Sequence, residues 1–253
     1  MKITILGTGT SQGIPVIGSD HPVCKSTDSR DKRLRVSAMI EYQGKRLVID
    51  CGPDFRQQML RHDVSHLDGV LFTHEHADHT AGLDDLRPFF FRQGEINCHM
   101  TSRVHQALQD RFSYMFATVN KYPGVADLTV HEFENSSFKA SGIEIIPVLA
   151  DHGFIPVHGF RINNFAYMTD VKTINDTEKL KLKDLDVLVL NMLREQEHHT
   201  HLNLEEALEL VRELQPQRTY FTHISHHLGF HKEVEKNLPD GVFLAYDNLE
   251  INL

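Results

Sequence analysis

The sequence predicts an α/β fold in which two β-sheets pack against each other and helices cover their outer faces. Three observations support this fold class. Short apolar segments typical of buried strands recur in both halves of the chain, helical segments alternate with them, and 40% of the 253 residues are hydrophobic, enough for a sizeable core. Linkers, repeats and low-complexity tracts are absent, so we expect a single domain over residues 1–253.

The first elements are predicted to be strands. Apolar runs indicate strands at Lys2–Leu6, Val36–Tyr42 and Arg46–Asp50, and Gln43–Gly44 is a typical hairpin turn between the last two. A helix is expected from Pro53 to about Arg61, since proline at the first helical turn loses no hydrogen bond.

The middle of the chain is also predicted to contain both strands and a helix. Val70–Phe72 is expected to be a short buried strand, and the apolar spacing of Ser102–Phe116 indicates a helix. Five more apolar runs predict strands: Leu128–Phe133, Ile143–Leu149, Val157–Ile162, Phe165–Met168 and Val187–Leu190.

The clearest helix signal follows Asn203. Asn203 is a good N-cap, Glu206 stands where a capping box needs it, and Pro216 ends the helix. One apolar stripe runs along it: Leu204, Ala207, Leu208, Val211 and Leu214. A last buried strand is expected at Arg218–Phe221.

Charge and composition narrow the class of partner. The 26 basic and 35 acidic residues give a net charge of −9, which disfavours a long nucleic acid as a partner. No apolar run is long enough for a membrane span, the first residues lack the features of a signal peptide, and three scattered cysteines do not suggest disulfides. We therefore expect a cytoplasmic protein without membrane contact.

Histidine is the unusual component of this chain. Eighteen histidines occur, and most crowd around positions 74–79, 198–201 and 223–231. Histidine is the commonest neutral metal ligand and transfers protons near neutral pH. The clusters therefore indicate a metal site or an acid–base site.

The densest cluster is His74-Glu75-His76-Ala77-Asp78-His79, directly after a predicted strand. In a turn, His74 and His76 can face one centre while Asp78 and His79 face a neighbouring one. That arrangement suits two cations, and nitrogen and carboxylate ligands fit zinc, manganese or iron equally.

Two cations need further ligands. Three polar residues follow apolar strands, where a rigid support would hold a ligand: His152, Asp170 and His223. A carboxylate can bridge two cations, which makes Asp170 the most informative of the three.

With this turn and these three residues in this order, the chain resembles the metallo-β-lactamase superfamily over essentially its whole length. The resemblance implies an αββα sandwich. It also implies one metal ion held by His74, His76 and His152, and Asp170 as a bridge. Asp78, His79 and His223 would hold the second ion, with a metal-bridging hydroxide as the nucleophile and Asp78 also serving catalysis.

Finer features are similar to the phosphodiesterase branch, which contains ribonuclease Z and the cyclic phosphodiesterase of bacterial phosphonate breakdown. The loop Gly7–Gly13 follows the first strand, and its Thr10, Ser11 and Gln12 could present donors to a phosphate. His201 matches the position of a histidine that acts in that branch as general acid or phosphate contact. A plain turn and a solvent-facing loop are the competing interpretations, and His198 or His199 could substitute for His201.

The resembled subgroup also carries a structural zinc site with a Cys-x-Cys-x-x-Cys run. Here Ser19 and His21 occupy two of the cysteine positions. His21, Cys24 and His226 could still hold zinc, or the loop has lost its metal. Dimers are common in the subgroup, so a homodimer is among the expected assemblies.

These features together predict a metal-dependent phosphodiesterase with two divalent ions, Zn²⁺ or Mn²⁺, acting on a small diester such as a cyclic ribose phosphate or nucleotide. Two alternatives stay open: a thioesterase or lactonase on the same site, and processing of RNA ends in the manner of ribonuclease Z. A protein that only binds metal would fill its coordination sphere and would not need a bridging carboxylate.

Overall fold

A computed structural model describes residues 1–253 and contains two seven-stranded sheets packed face to face, with helices on both outer faces. The predicted αββα sandwich is confirmed. No helix combines the length and the apolar character that a membrane crossing requires.

The first sheet has the strand order β14-β1-β2-β3-β4-β5-β6. Its strands are β1 (Lys2–Gly7), β2 (Ser37–Tyr42), β3 (Lys45–Ile49), β4 (Gly69–Leu71), β5 (Ile96–Met100), β6 (Leu128–Glu132) and β14 (Leu249–Asn252). The strands β14 to β3 pair antiparallel, whereas β3 to β6 pair parallel, with Ile49 beside Leu71 and Leu71 beside His99.

The second sheet has the order β13-β12-β11-β10-β9-β8-β7. Its strands are β7 (Phe138–Ala140), β8 (Ile143–His152), β9 (Ile155–Ile162), β10 (Phe165–Met168), β11 (Val187–Asn191), β12 (Arg218–Thr222) and β13 (Val242–Leu244). The strands β10 to β13 are parallel, and β7 to β10 form antiparallel hairpins.

Nine α-helices, five of them four or five residues long, accompany the sheets. They are α1 (Pro22–Lys25), α2 (Phe55–Arg61), α3 (Ala77–Thr80), α4 (Arg87–Gln93), α5 (Ser102–Arg111), α6 (Ser113–Phe116), α7 (Asp176–Lys179), α8 (Leu204–Leu214) and α9 (His231–Glu235).

Three apolar cores hold the layers together. The central core lies between the sheets, where Ile3 and Ile40 of the first sheet meet Phe160 and Val187 of the second. A second core joins α2, α4 and α5 to the first sheet, and a third joins α8 to the second sheet. Burial of apolar area on both faces of each sheet explains the nearly continuous apolar strands of the sequence.

The longest predicted helix is interrupted in the structure. Residues 102–116 form two helices because α5 ends at Arg111 and Phe112 leaves the helical conformation, with φ −118° and ψ 42°. The second helix, α6, has only four residues. The helix expected at Pro53 begins two residues later, after a turn at Pro53 and Asp54.

The carboxyl ends of the parallel strands converge at one edge of the sandwich. In parallel sheets, residues that follow the strands meet at this edge. Thr73 and His74 follow β4, Asp170 follows β10, and His223 follows β12, so residues distant in sequence reach one place. His152 also ends there, as the last residue of β8, which is three residues longer than the sequence predicts.

Candidate metal centre

The first cluster of ligand atoms comes from both sheets. His74 and His76 leave the first sheet after β4, and His152 ends β8 of the second sheet. One ring nitrogen of each lies within 4.8 Å of the others. Three nitrogen donors at this separation can bind a single divalent cation.

The second cluster lies beside the first. The ligand atoms of Asp78, His79 and His223 also fall within 4.8 Å of one another. His79 Nε2 is 3.3 Å from Asp78 Oδ2, and His223 Nε2 is 3.8 Å from the same oxygen. The structure therefore brings together the six histidine and aspartate side chains that the resemblance assigns to two ions, in the same two groups.

Asp170 lies between the two clusters. Its Oδ2 is 3.2 Å from His79 Nε2, and its Oδ1 is 3.2 Å from His223 Nε2 and 3.9 Å from His152 Nε2. A carboxylate that faces both clusters is placed as a bridging ligand must be. Asn191 fixes the next residue, because its side chain accepts a hydrogen bond from Val171 N and donates one to Val171 O.

Three buried residues at this edge have positive backbone φ angles. These are 63° for Asp50, 59° for Asp170 and 57° for His223. Non-glycine residues adopt this left-handed conformation at a cost, and such residues concentrate at functional sites. Each of the three residues ends or follows a strand, so the backbone turns sharply where the side chain enters the site.

Unpartnered buried atoms test whether a cation fits. His79 Nε2 and both ring nitrogens of His223 are buried and have no hydrogen-bond partner. Buried polar atoms are rarely left without a partner, and each one without a partner costs free energy. The carboxylates of Asp78 and Asp170 also face this small volume, so divalent cations satisfy both the donor set and the charge.

The pKa shifts of the candidate ligands follow from their burial and from the charges around them. Burial lowers the pKa of His74 well below its ordinary value, which favours the neutral imidazole that binds metals. Burial raises the pKa of Asp170, but His223 and His79 more than offset this effect and hold it well below its usual range. Burial lowers the pKa of His79, but Asp170, Asp78 and Asp50 reverse the effect and raise it well above its usual value.

Asp50 is a site residue that the sequence analysis missed. It accepts hydrogen bonds from Thr73 N at 2.9 Å and Thr73 Oγ1 at 2.8 Å, and its Oδ2 lies 2.6 Å from His79 Nδ1. Asp50 directly follows β3, so it gives the same signal as Asp170: a lone polar residue after an apolar strand. A second carboxylate of this type could have been identified in the same way.

A carbonyl oxygen fixes the protonation of His152. His152 Nδ1 lies 2.8 Å from Thr200 O. Because a carbonyl oxygen only accepts, Nδ1 carries the proton and Nε2 presents its lone pair to the cluster. The loop that contains Thr200 thus positions a ligand from a different strand.

His201 lies against the centre. Its ring is 4.6 Å from the rings of both His152 and His223, measured between centroids, and its Nδ1 is 3.7 Å from Asp170 Oδ1. The Nδ1 atom is buried without a hydrogen-bond partner. Burial and His223 lower the pKa of His201 to about 2. His198 lies farther out, 5.0 Å from His201, and His199 is exposed.

The candidate phosphate loop borders the same edge. Gly9 pairs with Ile224, the residue after His223, and Thr10 N donates to Ile224 O at 3.1 Å. Ser11 and Gln12 are exposed at the tip of the turn. The Thr10 amide is therefore already engaged, and the exposed donors belong to Ser11 and Gln12.

The candidate structural zinc site has a different geometry. The ring of His226 lies 5.0 Å from that of His21 and 4.0 Å from that of His227. Cys24 Sγ instead accepts a hydrogen bond from Val16 N, and the groups of ligand atoms within 4.8 Å of one another do not include His21, Cys24 or His226. A zinc ion there remains a prediction.

Two glycines allow the turn that contains the candidate ligands, residues 74–79, to pack closely against the segment between β3 and α2. A Cβ atom on Gly52 would lie 2.1 Å from Asp78 O, and a Cβ atom on Gly82 would lie 2.2 Å from Gly52 O. Cys51 N also donates to His79 O at 2.8 Å. The segment between β3 and α2 therefore sets the position of Asp78 and His79 through backbone contacts.

Comparison with known proteins gives both family and close relatives. The family model of the beta-lactamase superfamily domain matches residues 45–224. An octanoyltransferase of Porphyromonas gingivalis is 38% identical over 253 residues, which are 99% of this chain and 51% of that protein. The chain thus spans about half the length of that relative.

Two further proteins are similar. A ribonuclease Z of Clostridium acetobutylicum is 25% identical over 186 residues, covering 70% of this chain and 58% of the relative. A crystal structure described as a new diphosphatase from the PhnP family has 38% identity and a TM-score of 0.93, covering 100% of this chain and 97% of that chain.

Proposed function

The chain belongs to the metallo-β-lactamase superfamily of hydrolases, and we propose that it is a metal-dependent phosphodiesterase that acts on a small diester. One observation carries the proposal: His201 Nδ1 lies 3.7 Å from Asp170 Oδ1, and although His201 also groups with His152 and Asp170, each of the two three-residue ligand clusters is complete without it. A histidine that is free to contact substrate there suits a leaving group that must receive a proton.

In this proposal, one set of residues holds the metal ions and another set acts on the substrate. His74, His76 and His152 would hold one divalent ion, and Asp78, His79 and His223 the other, with Asp170 between them. When bound, the two ions would polarise the phosphoryl oxygens and make water a stronger nucleophile. Zn²⁺ and Mn²⁺ both suit this donor set.

His201 and Asp78 would act on the substrate side. Burial keeps the His201 ring neutral in the free protein, but the negative charge of a bound phosphodiester would raise its pKa, so that His201 could deliver a proton to the leaving oxygen as the P–O bond breaks. Asp78 is half-buried rather than fully buried, so its carboxylate can accept a hydrogen bond from the attacking water and orient it. Ser11 and Gln12 would face the phosphate.

The size of the substrate follows from charge and from the relatives. A net charge of −9 disfavours a long nucleic acid as the substrate. The similarity to a structure described as a diphosphatase supports hydrolysis at phosphorus. We therefore favour a cyclic ribose phosphate, a nucleotide diester or a diphosphate-linked diester over RNA ends.

Thioester hydrolysis is the second candidate, because one relative is an octanoyltransferase. Half of that protein has no counterpart in this chain, so its acyl-transfer activity can lie in the other half. Acyl chemistry at this centre requires no histidine before α8, which separates the two candidates.

The deciding experiment is hydrolysis of bis(p-nitrophenyl) phosphate by metal-stripped protein after Mn²⁺ or Zn²⁺ is restored. We expect metal-dependent turnover that His201→Ala lowers by about 10² to 10⁴ in kcat. His199→Ala is the matched control, since His199 is exposed on the same loop. Full metal occupancy without diester cleavage, together with cleavage of octanoyl thioesters, would overturn the proposal.

A further inference from the structure

A cavity of about 280 Å³ opens on the outer face of the first sheet, between α2 and α4, and contains no residue of the metal centre. Its floor is apolar, because Phe55, Met59, Val64 and Phe89 line it and each is almost completely buried. Phe89 belongs to the Phe89–Phe91 run, which has no place in the proposed hydrolysis.

The mouth of the cavity is partly apolar as well. Leu60 lines it and is 60% exposed, an unusual exposure for a large aliphatic side chain in a two-turn helix. Exposed apolar surface that continues into a cavity is typical of a binding site.

Two arginines complete the mouth. Arg56 and Arg92 line the cavity and are exposed, and neither forms an ion pair or a side-chain hydrogen bond. Arg87 on the same segment, by contrast, pairs with Asp84 at 3.0 Å. The only carboxylate in the lining is Asp85, so the mouth carries a net positive charge on a chain whose total charge is −9.

We propose that this cavity binds a free medium-chain fatty acid, with the alkyl chain on the apolar floor and the carboxylate between Arg56 and Arg92. Guanidinium groups bind carboxylates through paired hydrogen bonds. An entirely apolar ligand would leave both arginines without a partner, and a sugar phosphate would leave the floor without an apolar contact. The volume lies just below the range of about 300 to 1,000 Å³ for drug-sized ligands, which suits one short chain.

The test is calorimetric titration of the metal-loaded protein with hexanoate and octanoate. We expect saturable binding that strengthens about fourfold for each added methylene, the increment for burying a CH₂ group. The double substitution Arg56→Gln and Arg92→Gln should weaken octanoate binding roughly tenfold or more, since a charge-assisted pair is lost. Binding of 1-octanol should change little in the same variant.

Two matched variants distinguish carboxylate binding at this mouth from a general effect of lost positive charge. Arg87→Gln removes a paired arginine outside the lining and should leave octanoate binding unchanged. Leu60→Asp changes an exposed residue, so the fold is kept, and should abolish binding by placing a negative charge at the mouth.

Three results would overturn the proposal. The first is that octanoate does not bind, or that it binds equally well to the double arginine variant, which would mean that it binds to the metal ions instead. The second is binding to phosphatidylglycerol vesicles without binding of free octanoate, which would mean a membrane contact. The third is a dimer that Leu60→Asp converts to a monomer without any octanoate binding, which would mean that a second copy covers this face.

Discussion

His79 Nδ1 lies 2.6 Å from Asp50 Oδ2, and both side chains are completely buried. This contact turns the other ring nitrogen of His79 toward Asp78 and Asp170. A carboxylate behind a ligating histidine fixes the ring orientation and raises its basicity as a ligand.

Asp50→Asn should therefore weaken metal binding by about 10- to 100-fold, because the amide is a weaker hydrogen-bond acceptor for the His79 ring. Competition with a chromophoric chelator measures the affinity. Asp54→Asn is the control, since Asp54 binds Arg35 N rather than a site histidine. Equal affinities of the two variants would contradict the role assigned to Asp50.

Removal of metal should lower the stability of the fold. Without a cation, Asp170 and Asp78 face each other across His79 and the nitrogens of His223 lack partners. A ligand present at about 1,000 times its Kd stabilises the native state by about 4 kcal/mol. The midpoint temperature of thermal unfolding of chelator-treated protein should rise when Zn²⁺ or Mn²⁺ is added. An unchanged midpoint would argue against tight binding.

Gly52→Ala should disturb the ligand turn without touching a ligand. Its Cβ atom would meet Asp78 O at 2.1 Å, so the turn must move, at a cost of roughly 1–3 kcal/mol in unfolding free energy. We expect weaker metal binding as well. Gly69→Ala is the matched control, because its nearest neighbour is the flexible end of Leu47 at 3.3 Å. Similar urea midpoints for both variants would refute the close-packing argument.

Acid should destabilise the protein through histidines outside the metal centre. Burial lowers the pKa of His99 to about 4, from an ordinary value of 6.5. Between these values the unfolded chain binds the proton and the folded chain does not, so stability falls as the pH falls and is constant above about 6.5. The slope is about 1.4 kcal/mol per pH unit for one such histidine.

His99→Phe tests this effect, because the ring stacks between His131 and Phe138 and a phenyl group fits the same space. Urea unfolding of metal-free protein at about pH 6 and pH 5 should show a loss smaller by about 1.4 kcal/mol than in the parent protein. The exposed His199→Phe serves as control. An identical acid loss in both variants would mean that His99 is not the titrating group.

The cap of α8 should contribute to stability next to His201. Asn203 Oδ1 accepts from Glu206 N at 2.9 Å, and Glu206 Oε2 accepts from Asn203 N at 2.9 Å. Asn203→Ala should cost about 1 kcal/mol of unfolding free energy, whereas Asn203→Gly should cost only a few tenths. If alanine proved no worse than glycine in denaturant titrations, the capping box would carry no energy.

Sequence reasoning predicted the layers and the ligand set because both depend on local patterns. Apolar strands followed by single polar residues mark where Asp170 and His223 enter the site, and the HxHxDH turn is contiguous. The features that these local patterns could not predict depend on contacts between residues that are distant in the sequence. The short edge strands β7, β13 and β14 exist through pairing with neighbours, and Asp50 acquires its role by contact with a residue 29 positions away.

The break at Phe112 and the charged cavity between α2 and α4 are also features that local sequence patterns could not predict. Spacing alone favours a continuous helix through residues 102–116, and nothing in the local sequence indicates that α5 ends at Arg111. Clustered aromatics such as Phe89–Phe91 favour core or a dimer face over stacking on a substrate, and the structure divides the run: Phe89 is buried and Phe91 is exposed.

Each ligand cluster takes residues from both halves of the chain, since His152 and His223 join a turn that lies near residue 75. A nascent chain that has emerged only through β6 holds at most part of either cluster. Either cluster is therefore complete only after both sheets have been synthesised and packed together, and any metal ion that needs all three ligands of a cluster would bind after that step.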